Sequence, residues 1–495
     1  MAGIGIHELM IECGVAFGTS GARGEVVAMT DRVCYGYTQG FLTYLAEQGE
    51  FGADRRVAIA GDLRPSTPRI LAACARAIRD LGGVPVFCGY VPTPALALFS
   101  FAEGIPSLMV TGSHIPADRN GIKFYRPTGE VLKVDEAGIS RQIVSFPADA
   151  FTDAGALAQD EVLPPITDVE AAYAQRYIDH FGSGALTGMR IGVYQHSAVG
   201  RDLLAAVLSA LGAEITLLGR SETFVPVDTE ALRPQDIELA REWTENGEFD
   251  AIVSTDGDSD RPLLSDARGS WLRGDVLGIL CAAGIGATSV VTPISSNTAL
   301  EMSGKFLRCR RTRIGSPYVI AAMSEEQLVG SSIVCGYEAN GGFLLGTDIA
   351  GANGSVTRAL PTRDAFLPLL VVLANRDLSI AQQLEKLPQR YTFSDRIAPF
   401  PPGMSERLFE LLKAGEEEDQ LALQTQLFGH FAGEARSIDL TDGVRATFLS
   451  GLVVHLRGSG NAPELRCYTE GDTEVIAKEA NRLALDQVQS MFSEA

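Results

Sequence analysis

Short apolar runs alternate with longer amphipathic stretches through most of the chain. Residues 55–62 (RRVAIAGD) and 84–89 (VPVFCG) carry apolar runs of strand length, and residues 67–83 (TPRILAACARAIRDLGG) repeat apolar positions at helical spacing and end in two glycines. Strand, helix and strand at this spacing are typical of βαβ units. The pattern therefore predicts an α/β domain on a parallel or mixed sheet at the start of the chain.

The same pattern returns twice. Residues 189–219 (MRIGVYQHSAVGRDLLAAVLSALGAEITLLG) read as strand, helix and strand, and residues 249–258 (FDAIVSTDGD) add another strand. A third copy begins with residues 288–295 (TSVVTPIS) and reaches residues 331–342 (SSIVCGYEANGG). We therefore predict three βαβ-type, mixed-sheet domains of similar topology.

Beyond residue 390 the pattern changes. Residues 405–419 (SERLFELLKAGEEED) read as a charged helix, residues 442–470 (DGVRATFLSGLVVHLRGSGNAPELRCYTE) as short antiparallel strands around a glycine-rich loop, and residues 473–492 as a final helix. This order predicts a smaller α+β domain at the C-terminus. The predicted domains are residues 1–155, 156–285, 286–390 and 391–495.

Charge narrows the range of partners. The 495 residues carry 41 Lys and Arg against 62 Asp and Glu, a formal net charge of -21. Nucleic acids and anionic membranes attract basic surfaces, so we expect neither as a partner, although local arginine clusters still allow an anionic small substrate. The eight cysteines contain no CxxC pair, which argues against zinc and for reduced core residues. Neither a signal segment nor an apolar run of membrane-spanning length is evident, so we expect a soluble, cytoplasmic protein.

Ser113 stands directly after the predicted strand SLMV, in the sequence VTGSH. The carboxyl ends of strands are where α/β sheets bind ligands. The GxSxG elbow of serine hydrolases is not present here, and none of the six histidines has clear spacing for a catalytic triad. Taken alone, the stretch fits either a turn serine or a reactive hydroxyl group of another kind.

Three aspartates alternate just beyond another apolar strand, in STDGDSDRP. Asp256, Asp258 and Asp260 would repel one another without a cation, and hard carboxylate oxygens suit Mg²⁺ or Ca²⁺. An EF-hand loop is excluded, because its glycine and glutamate positions hold Arg261 and Ala267. A solvated acidic turn is the alternative, but the spacing and the strand end favour a metal site that works with substrate phosphates.

Three glycine-rich loops carry further candidates. Glu338 and Asn340 in CGYEANGG suit the hydroxyl groups of a sugar, although a plain turn fits as well. The loop LRGSGNAPELR offers a phosphate nest of guanidinium groups, a hydroxyl group and backbone N–H groups, or else a structural hairpin. Arg23 in FGTSGARG is another phosphate contact or only part of a turn. The candidates in the second loop are Arg457, Ser459, Gly460, Asn461 and Arg466.

The four main loops occur once each, in this order, one per predicted domain. Their set resembles the α-D-phosphohexomutase family, which includes phosphomannomutases, phosphoglucomutases and phosphoglucosamine mutases. The resemblance runs from FGTSGARG at residue 17 to LRCYTE near residue 470, and the serine loop with DGDSDR is its most specific part. It implies four domains around a central cleft, with one loop from each domain.

The resemblance also implies a role for each candidate. Ser113 would carry the phosphoryl group, and Asp256, Asp258 and Asp260 would bind Mg²⁺ together with a phosphate oxygen on Ser113. Glu338 and Asn340 would contact the sugar hydroxyl groups. The loop at 457–466 would hold the phosphate that is not transferred. The residues that would assist with charge and protons are Arg23, His114, Lys123 and Arg261.

The implied reaction interconverts the 6- and 1-phosphates of a hexose through a hexose 1,6-bisphosphate, which also serves as activator. Mannose phosphate is the expected substrate and glucose phosphate a further one. The alternatives are a phosphoglucosamine mutase and a catalytically silent phosphosugar-binding protein. The resemblance leaves open whether the enzyme is a monomer or a homodimer.

The chain departs from the usual family pattern in several loops. The serine loop reads TGSHIP where many members have TASHNP, and TRIGSPY has Gly-Ser where some members have Gly-His. In YEANGG, Asn340 stands at a serine position and Gly342 at the position of a common histidine. The phosphate loop reads RGSGNAPELR where RxSGTEPxxR is usual. These departures bear on substrate preference more than on the class of reaction.

Overall fold

A computed structural model describes residues 3–18, 21–458 and 463–493. The chain divides into two compact units, the first formed by Met1–Val290 and Gly315–Ala381 and the second by Val291–Ile314 and Gln382–Ala495. Among the described residues, no helix combines the length and the apolar character needed to cross a bilayer.

The first unit begins with a mixed α/β region. Its elements are β1 (Ile4–Gly5), α1 (Ile6–Cys13), β2 (Ala16–Phe17), β3 (Gly21–Glu25), α2 (Asp31–Glu47), β4 (Arg56–Gly61), α3 (Thr67–Asp80), β5 (Val84–Tyr90), α4 (Thr93–Glu103), β6 (Ser107–Val110), β7 (Arg119–Arg126), β8 (Gly129–Glu130), α5 (Lys133–Ser140) and β9 (Ile143–Val144).

The main sheet of this region runs in the order β2-β3-β7-β6-β4-β5, and β8 pairs with β7. Strands β4, β5 and β6 are parallel, while β7 is antiparallel to both β6 and β3. Aromatic side chains of α2 and β7 pack together in the core, where the ring centroids of Phe41 and Phe124 are 5.0 Å apart. The parallel order brings the carboxyl ends of β4 and β6 to one edge of the sheet.

A second α/β region follows in the same unit. Its elements are α6 (Glu170–Phe181), β10 (Arg190–His196), α7 (Arg201–Ala210), β11 (Glu214–Arg220), α8 (Pro234–Asn246), β12 (Ala251–Thr255) and β13 (Pro262–Leu264). The strand order is β11-β10-β12-β13, with β13 antiparallel to β12. All five residues of β12 are buried, as expected for a central strand with neighbours on both sides.

The next segment enters the second unit at Val291 and returns to the first at Gly315. Its elements are α9 (Gly274–Gly284), β14 (Ser289–Pro293), α10 (Ala299–Met302), β15 (Arg308–Thr312), α11 (Ser316–Leu328), β16 (Val334–Tyr337), β17 (Phe343–Leu345), β18 (Ile349–Ala350), β19 (Val356–Thr357), β20 (Leu360–Asp364), α12 (Phe366–Leu373) and α13 (Ile380–Glu385). Within the first unit, β16, β17 and β20 pair antiparallel in that order.

The last segment forms an antiparallel sheet with helices. Its elements are β21 (Tyr391–Ile397), α14 (Pro402–Leu412), α15 (Glu417–Ala432), β22 (Ala435–Asp439), β23 (Val444–Phe448), β24 (Val453–Gly458), β25 (Leu465–Gly471) and α16 (Glu474–Ser493). The strand order is β21-β25-β24-β23-β22. The α/β class with mixed sheets, predicted from the sequence, is confirmed. The division into four domains at the stated boundaries stays a prediction.

A helical glycine tests how tightly α9 packs behind the strand that leads to Glu338. A Cβ atom at Gly278 would lie 2.4 Å from Cγ of Tyr337. Although alanine favours a helix over glycine, we expect Gly278→Ala to destabilise the protein by about 1–3 kcal/mol through overpacking. Gly429 in α15 is the control, because a Cβ atom there meets nothing closer than 3.4 Å. Urea unfolding should show a loss for Gly278→Ala and no loss for Gly429→Ala; equal values for the two would contradict the packing argument.

Candidate active site

Ser113 lies in a buried loop just beyond the end of β6. Its φ is +55°, in the left-handed region that residues other than glycine seldom adopt. The backbone N–H of Ser113 donates to Thr111 Oγ1 at 2.7 Å, and its hydroxyl group donates to Asp256 Oδ2 at 2.6 Å. Such strain persists only where surrounding contacts hold it, and it is typical of functional loops. The structure therefore favours a reactive hydroxyl group over a plain turn serine.

Arg64 clamps this loop from the end of β4, and the sequence analysis missed it. Its side chain is fully buried, and its Nε donates to Asp62 Oδ2 at 3.1 Å. Asp62 also accepts hydrogen bonds from the hydroxyl groups of Thr67 and Thr111. The Arg64 guanidinium donates to four loop carbonyl groups, those of Ser113, Ile115, Pro116 and Arg119. A guanidinium group has five N–H donors in a fixed fork, so one side chain can fix the course of the whole loop.

The three predicted aspartates lie together at the carboxyl end of β12. One oxygen from each of Asp256, Asp258 and Asp260 lies within 4.8 Å of the others, and all three residues are fully buried. Asp258 Oδ1 and Asp260 Oδ1 have no hydrogen-bond partner among the described residues. Buried carboxylate oxygens without partners are costly. The cluster therefore fits a hard divalent cation.

Cationic side chains from other segments compensate the cluster. Lys123 Nζ on β7 lies 2.6 Å from Asp258 Oδ2 and 2.5 Å from Asp260 Oδ2. Burial raises the pKa of the Asp258 carboxyl group. The charge and the hydrogen bond of Lys123, with the hydrogen bond of Thr93 and the charge of Arg363, together bring that pKa below its ordinary value. Burial and the two neighbouring carboxylates raise the pKa of Asp256 well above its ordinary value. Asp256, which accepts the Ser113 hydroxyl group, is thus the member of the cluster that most readily binds a proton.

Arg261 and His114 lie beside Ser113. Arg261 Nη1 is 2.8 Å from His114 Nδ1, and because a guanidinium group only donates, Nδ1 accepts and the ring proton belongs on Nε2. That Nε2 is 3.9 Å from Asp228 Oδ2, and Nδ1 is 3.3 Å from Ser113 Oγ. Burial and the charges of Arg261 and Arg23 hold the pKa of His114 well below its usual range. The imidazole next to Ser113 is therefore neutral.

Arg23 belongs to the same electrostatic cluster. It lies on β3, opposite Gly121 of β7, two residues from the position where β3 meets Lys123. Burial, followed by the charges of Arg261 and Arg363, lowers the pKa of Arg23 to about 10. The guanidinium group is thus close enough to the other site cations to be destabilised by them, as expected for a pocket that receives an anion.

The sugar-type loop is the tight turn between β16 and β17. Asn340 Oδ1 accepts the N–H of Gly342 at 3.0 Å, and the Asn340 carbonyl group accepts the hydroxyl group of Thr229 at 2.6 Å. Glu338 Oε2 lies 3.2 Å from Arg363 Nη1, and Arg363 Nε lies 3.0 Å from Asp260 Oδ2. Arg363, on β20, is a second residue that the sequence analysis missed. It ties the loop of Glu338 to the aspartate cluster.

The second unit carries the predicted phosphate loop. Arg457 on β24 and Arg466 on β25 are directly opposite each other, and Arg396 on β21 is opposite Arg466. Residues directly opposite on antiparallel strands share one face of the sheet, so three arginines form a row across three strands. The sequence analysis did not single out Arg396. The other predicted members of this loop, Ser459, Gly460 and Asn461, lie outside the described residues.

The chain matches the family models of phosphoglucomutase/phosphomannomutase alpha/beta/alpha domains I, II and III over residues 14–146, 175–269 and 273–391. The chain belongs to the phosphoglucomutase/phosphomannomutase family. It is thereby a phosphomutase, an isomerase that moves a phosphoryl group within a sugar phosphate, and the predicted α-D-phosphohexomutase membership is confirmed.

Two relatives of this phosphomutase are named phosphomannomutase. The one from Salmonella muenchen is 42% identical over 99% of this chain and 98% of its own, and the one from Sinorhizobium fredii (strain NBRC 101917 / NGR234) is 43% identical over 93% and 95%. A phosphoglucosamine mutase of Symbiobacterium thermophilum (strain DSM 24528 / JCM 14929 / IAM 14863 / T) is 28% identical over 75% of this chain and 82% of its own. The crystal structure of a phosphoglucomutase/phosphomannomutase family protein from Burkholderia thailandensis has a TM-score of 0.72 at 18% identity and covers 95% of this chain and 97% of its own, which supports the fold.

The Arg64 clamp gives a stability prediction for this phosphomutase. Arg64→Met removes the guanidinium group and leaves the Asp62 carboxylate buried without its cation, so we expect a loss of about 3–5 kcal/mol in the free energy of unfolding. The control is Arg56→Met at the start of β4, because the side chain of Arg56 is 40% exposed and its ion pairs lie at the surface. Exposed pairs contribute about 0–1 kcal/mol. Similar losses for both variants in urea titrations would show that Arg64 is not a buried clamp.

Proposed function

We propose that this enzyme is a phosphomannomutase that interconverts mannose 6-phosphate and mannose 1-phosphate, with glucose phosphates as further substrates. The observation that carries the proposal is the 2.6 Å hydrogen bond from the Ser113 hydroxyl group to Asp256, within a buried cluster of three carboxylates. A serine at a cation site suits phosphoryl transfer, which depends on positioning and charge stabilisation. Two relatives that cover nearly the whole chain at more than 40% identity are named phosphomannomutase.

In the proposed reaction Ser113 carries a phosphoryl group on Oγ. The free hydroxyl group of the hexose phosphate attacks phosphorus, the bond from phosphorus to Ser113 Oγ breaks, and a hexose 1,6-bisphosphate forms. The proton of the attacking hydroxyl group passes to the neutral imidazole of His114 and from there to Ser113 Oγ, the leaving oxygen, which lies 3.3 Å from His114 Nδ1. Lys123 assists as the cation that pairs with Asp258 and Asp260. After the sugar bisphosphate has turned around, Ser113 takes back the phosphoryl group from the other end of the sugar. The hexose 1,6-bisphosphate is thus both the intermediate and the activator.

The aspartate cluster is proposed as the Mg²⁺ site. Asp256, Asp258 and Asp260 supply three carboxylates, and Ser113 contributes a phosphate oxygen when it is phosphorylated. A bound Mg²⁺ neutralises charge on the transferring group. Arg261 and Arg23 add positive charge near the transferring phosphoryl group. Lys123 holds the carboxylates of Asp258 and Asp260 in place.

Substrate contacts are assigned to the other two loops. Glu338 accepts hydrogen bonds from sugar hydroxyl groups, and Asn340 shapes its loop and contacts the sugar through its amide group. In the second unit, the loop at 457–466 holds the phosphate that is not transferred, and the row of arginines supports that assignment. The residues assigned to this clamp are Arg457, Ser459, Gly460, Asn461 and Arg466, to which we add Arg396.

Two other functions compete with this proposal. Phosphoglucosamine mutase is the enzymatic one, but the relatives of that name match at lower identity, 26–28%. A silent phosphosugar-binding protein would not need the carrier, whereas Ser113 and all three aspartates are present. We propose a cytoplasmic enzyme that acts as a monomer or a homodimer and binds hexose phosphates rather than nucleic acids or membranes.

Turnover of the 1-phosphates of mannose, glucose and glucosamine, with Mg²⁺ and a trace of the matching 1,6-bisphosphate, tests the function. We expect the highest kcat/KM for mannose 1-phosphate. Incubation with the bisphosphate should add one phosphoryl group to the intact mass of the wild type and of Ser209→Ala, an exposed serine control, but none to Ser113→Ala. Preference for glucosamine 1-phosphate would favour a phosphoglucosamine mutase. Failure of the wild type to gain the phosphoryl group would contradict the proposed phosphoserine mechanism.

Removal of the divalent cation tests the metal site. Chelation with EDTA should abolish turnover and Mg²⁺ should restore it, because the transferring phosphoryl group loses its counter-charge. Asp258→Asn should weaken Mg²⁺ binding in calorimetric titrations at least tenfold, since one anionic ligand is lost. Asp153→Asn, an exposed aspartate in the same unit, should bind Mg²⁺ as the wild type does. Unchanged Mg²⁺ affinity in Asp258→Asn would place the metal elsewhere.

A further inference from the structure

Gly342, in the sugar-type loop, lies against the buried side chain of Arg363 on β20. A Cβ atom at this position would lie 2.6 Å from Cδ and 2.7 Å from Cγ of Arg363. The φ of Gly342 is outside the left-handed region, so the backbone does not require glycine here. The lack of space requires glycine instead, because the aliphatic stem of Arg363 occupies the volume that a side chain at residue 342 would fill. Many members of the family carry a histidine at the position of Gly342.

The position of Arg363 is fixed from the opposite face of β20. Successive side chains on a strand point to opposite faces, and those of Thr362 and Asp364 are anchored in the fold behind the site. Asp364 accepts the Tyr173 hydroxyl group at 2.6 Å, and the Thr362 hydroxyl group donates to Glu130 at 2.6 Å. Arg363 therefore projects from a strand that is held on both sides of it.

The guanidinium group of Arg363 bridges two carboxylates that have different tasks in the proposed reaction. It lies 3.2 Å from Glu338 Oε2, on the sugar-type loop, and 3.0 Å from Asp260 Oδ2, in the metal cluster. Its side chain is 3% exposed, so both interactions are shielded from solvent and strong. Because residue 342 is glycine, the side chain of Arg363 can reach from β20 between the sugar-type loop and the metal cluster, and it places a cation there.

We propose that Arg363 is a positioning residue for sugar recognition, and that it occupies the place of a side chain at residue 342. It holds Glu338 in one orientation toward the sugar hydroxyl groups and links that orientation to the metal cluster. This inference rests on the proposed function for its effect on substrate. Its packing part, the mutual exclusion of Arg363 and a side chain at residue 342, stands on geometry alone.

The packing part is tested with a cycle of Gly342→Ala, Arg363→Ala and the double variant. Gly342→Ala should lower the melting temperature of the wild type, because its Cβ meets the Arg363 stem. It should lower that of Arg363→Ala much less, because only the 3.1 Å contact with Asn340 Oδ1 remains there. Equal losses from Gly342→Ala in both backgrounds would overturn the packing argument. This readout needs no turnover, so it holds even if the enzyme acts on no hexose phosphate.

The functional part is tested by kinetics with mannose 1-phosphate. Loss of one charge-assisted hydrogen bond on Glu338 should raise KM about tenfold in Arg363→Ala, with a smaller change in kcat. Arg363→Lys, which keeps the charge, should recover part of the loss, and Arg363→Ala with Gly342→His should recover more than Arg363→Ala with Gly342→Ala. The control is Arg358→Ala, whose side chain is 78% exposed, and its KM should equal that of the wild type.

Titration with Mg²⁺ alone separates positioning from a general structural role. Arg363→Ala removes a cation next to Asp260, so Mg²⁺ should bind severalfold more tightly while KM for the sugar rises. A merely structural defect would weaken both. Weaker Mg²⁺ binding together with a loss of kcat at unchanged KM would overturn the assignment, whereas a wild type that binds Mg²⁺ but turns over no hexose phosphate would refute the proposed function instead.

Discussion

The site depends on the compensation of three carboxylates buried at the end of one strand. Asp256, Asp258 and Asp260 would repel one another strongly in a low-dielectric interior. The protein reduces this cost with cations from elsewhere in the sequence, Lys123 from β7 and Arg363 from β20. Each of these ion pairs joins a different α/β segment to the aspartate loop. The carboxylates that form the candidate cation site therefore also hold its segments together, through their ion pairs with Lys123 and Arg363.

The protein cations and a bound metal ion need not compete for the same atoms. Lys123 and Arg363 use the Oδ2 atoms of Asp258 and Asp260, whereas the Oδ1 atoms of the same carboxylates have no hydrogen-bond partner among the residues described. The Oδ2 side of each carboxylate is thus held by the fold, and the Oδ1 side has only one cation near it, Arg261 Nε at 3.7 Å from Asp260 Oδ1, among the described residues.

What the sequence predicts well is what lies at the ends of strands. Ser113 and the aspartates follow apolar runs, so their position at a sheet edge follows from local pattern and the general placement of α/β ligand sites. Arg64, Arg363 and Arg396 could not be found this way. Their roles depend on which strands are neighbours and in which register, as in the pairing of Arg396 with Arg466. That information arises only when distant parts of the chain pair.

Two departures from the usual family loops have one physical explanation. Gly112 stands where many members have alanine, and a Cβ atom there would lie 2.6 Å from Cζ of Arg64. Gly342 stands in the same relation to the stem of Arg363. In both loops an arginine from another segment occupies the space that a side chain would need, and it binds the loop or its carboxylate. A loop motif read alone shows only a glycine, whereas the fold shows which side chain, from a position that the motif does not contain, lies against it.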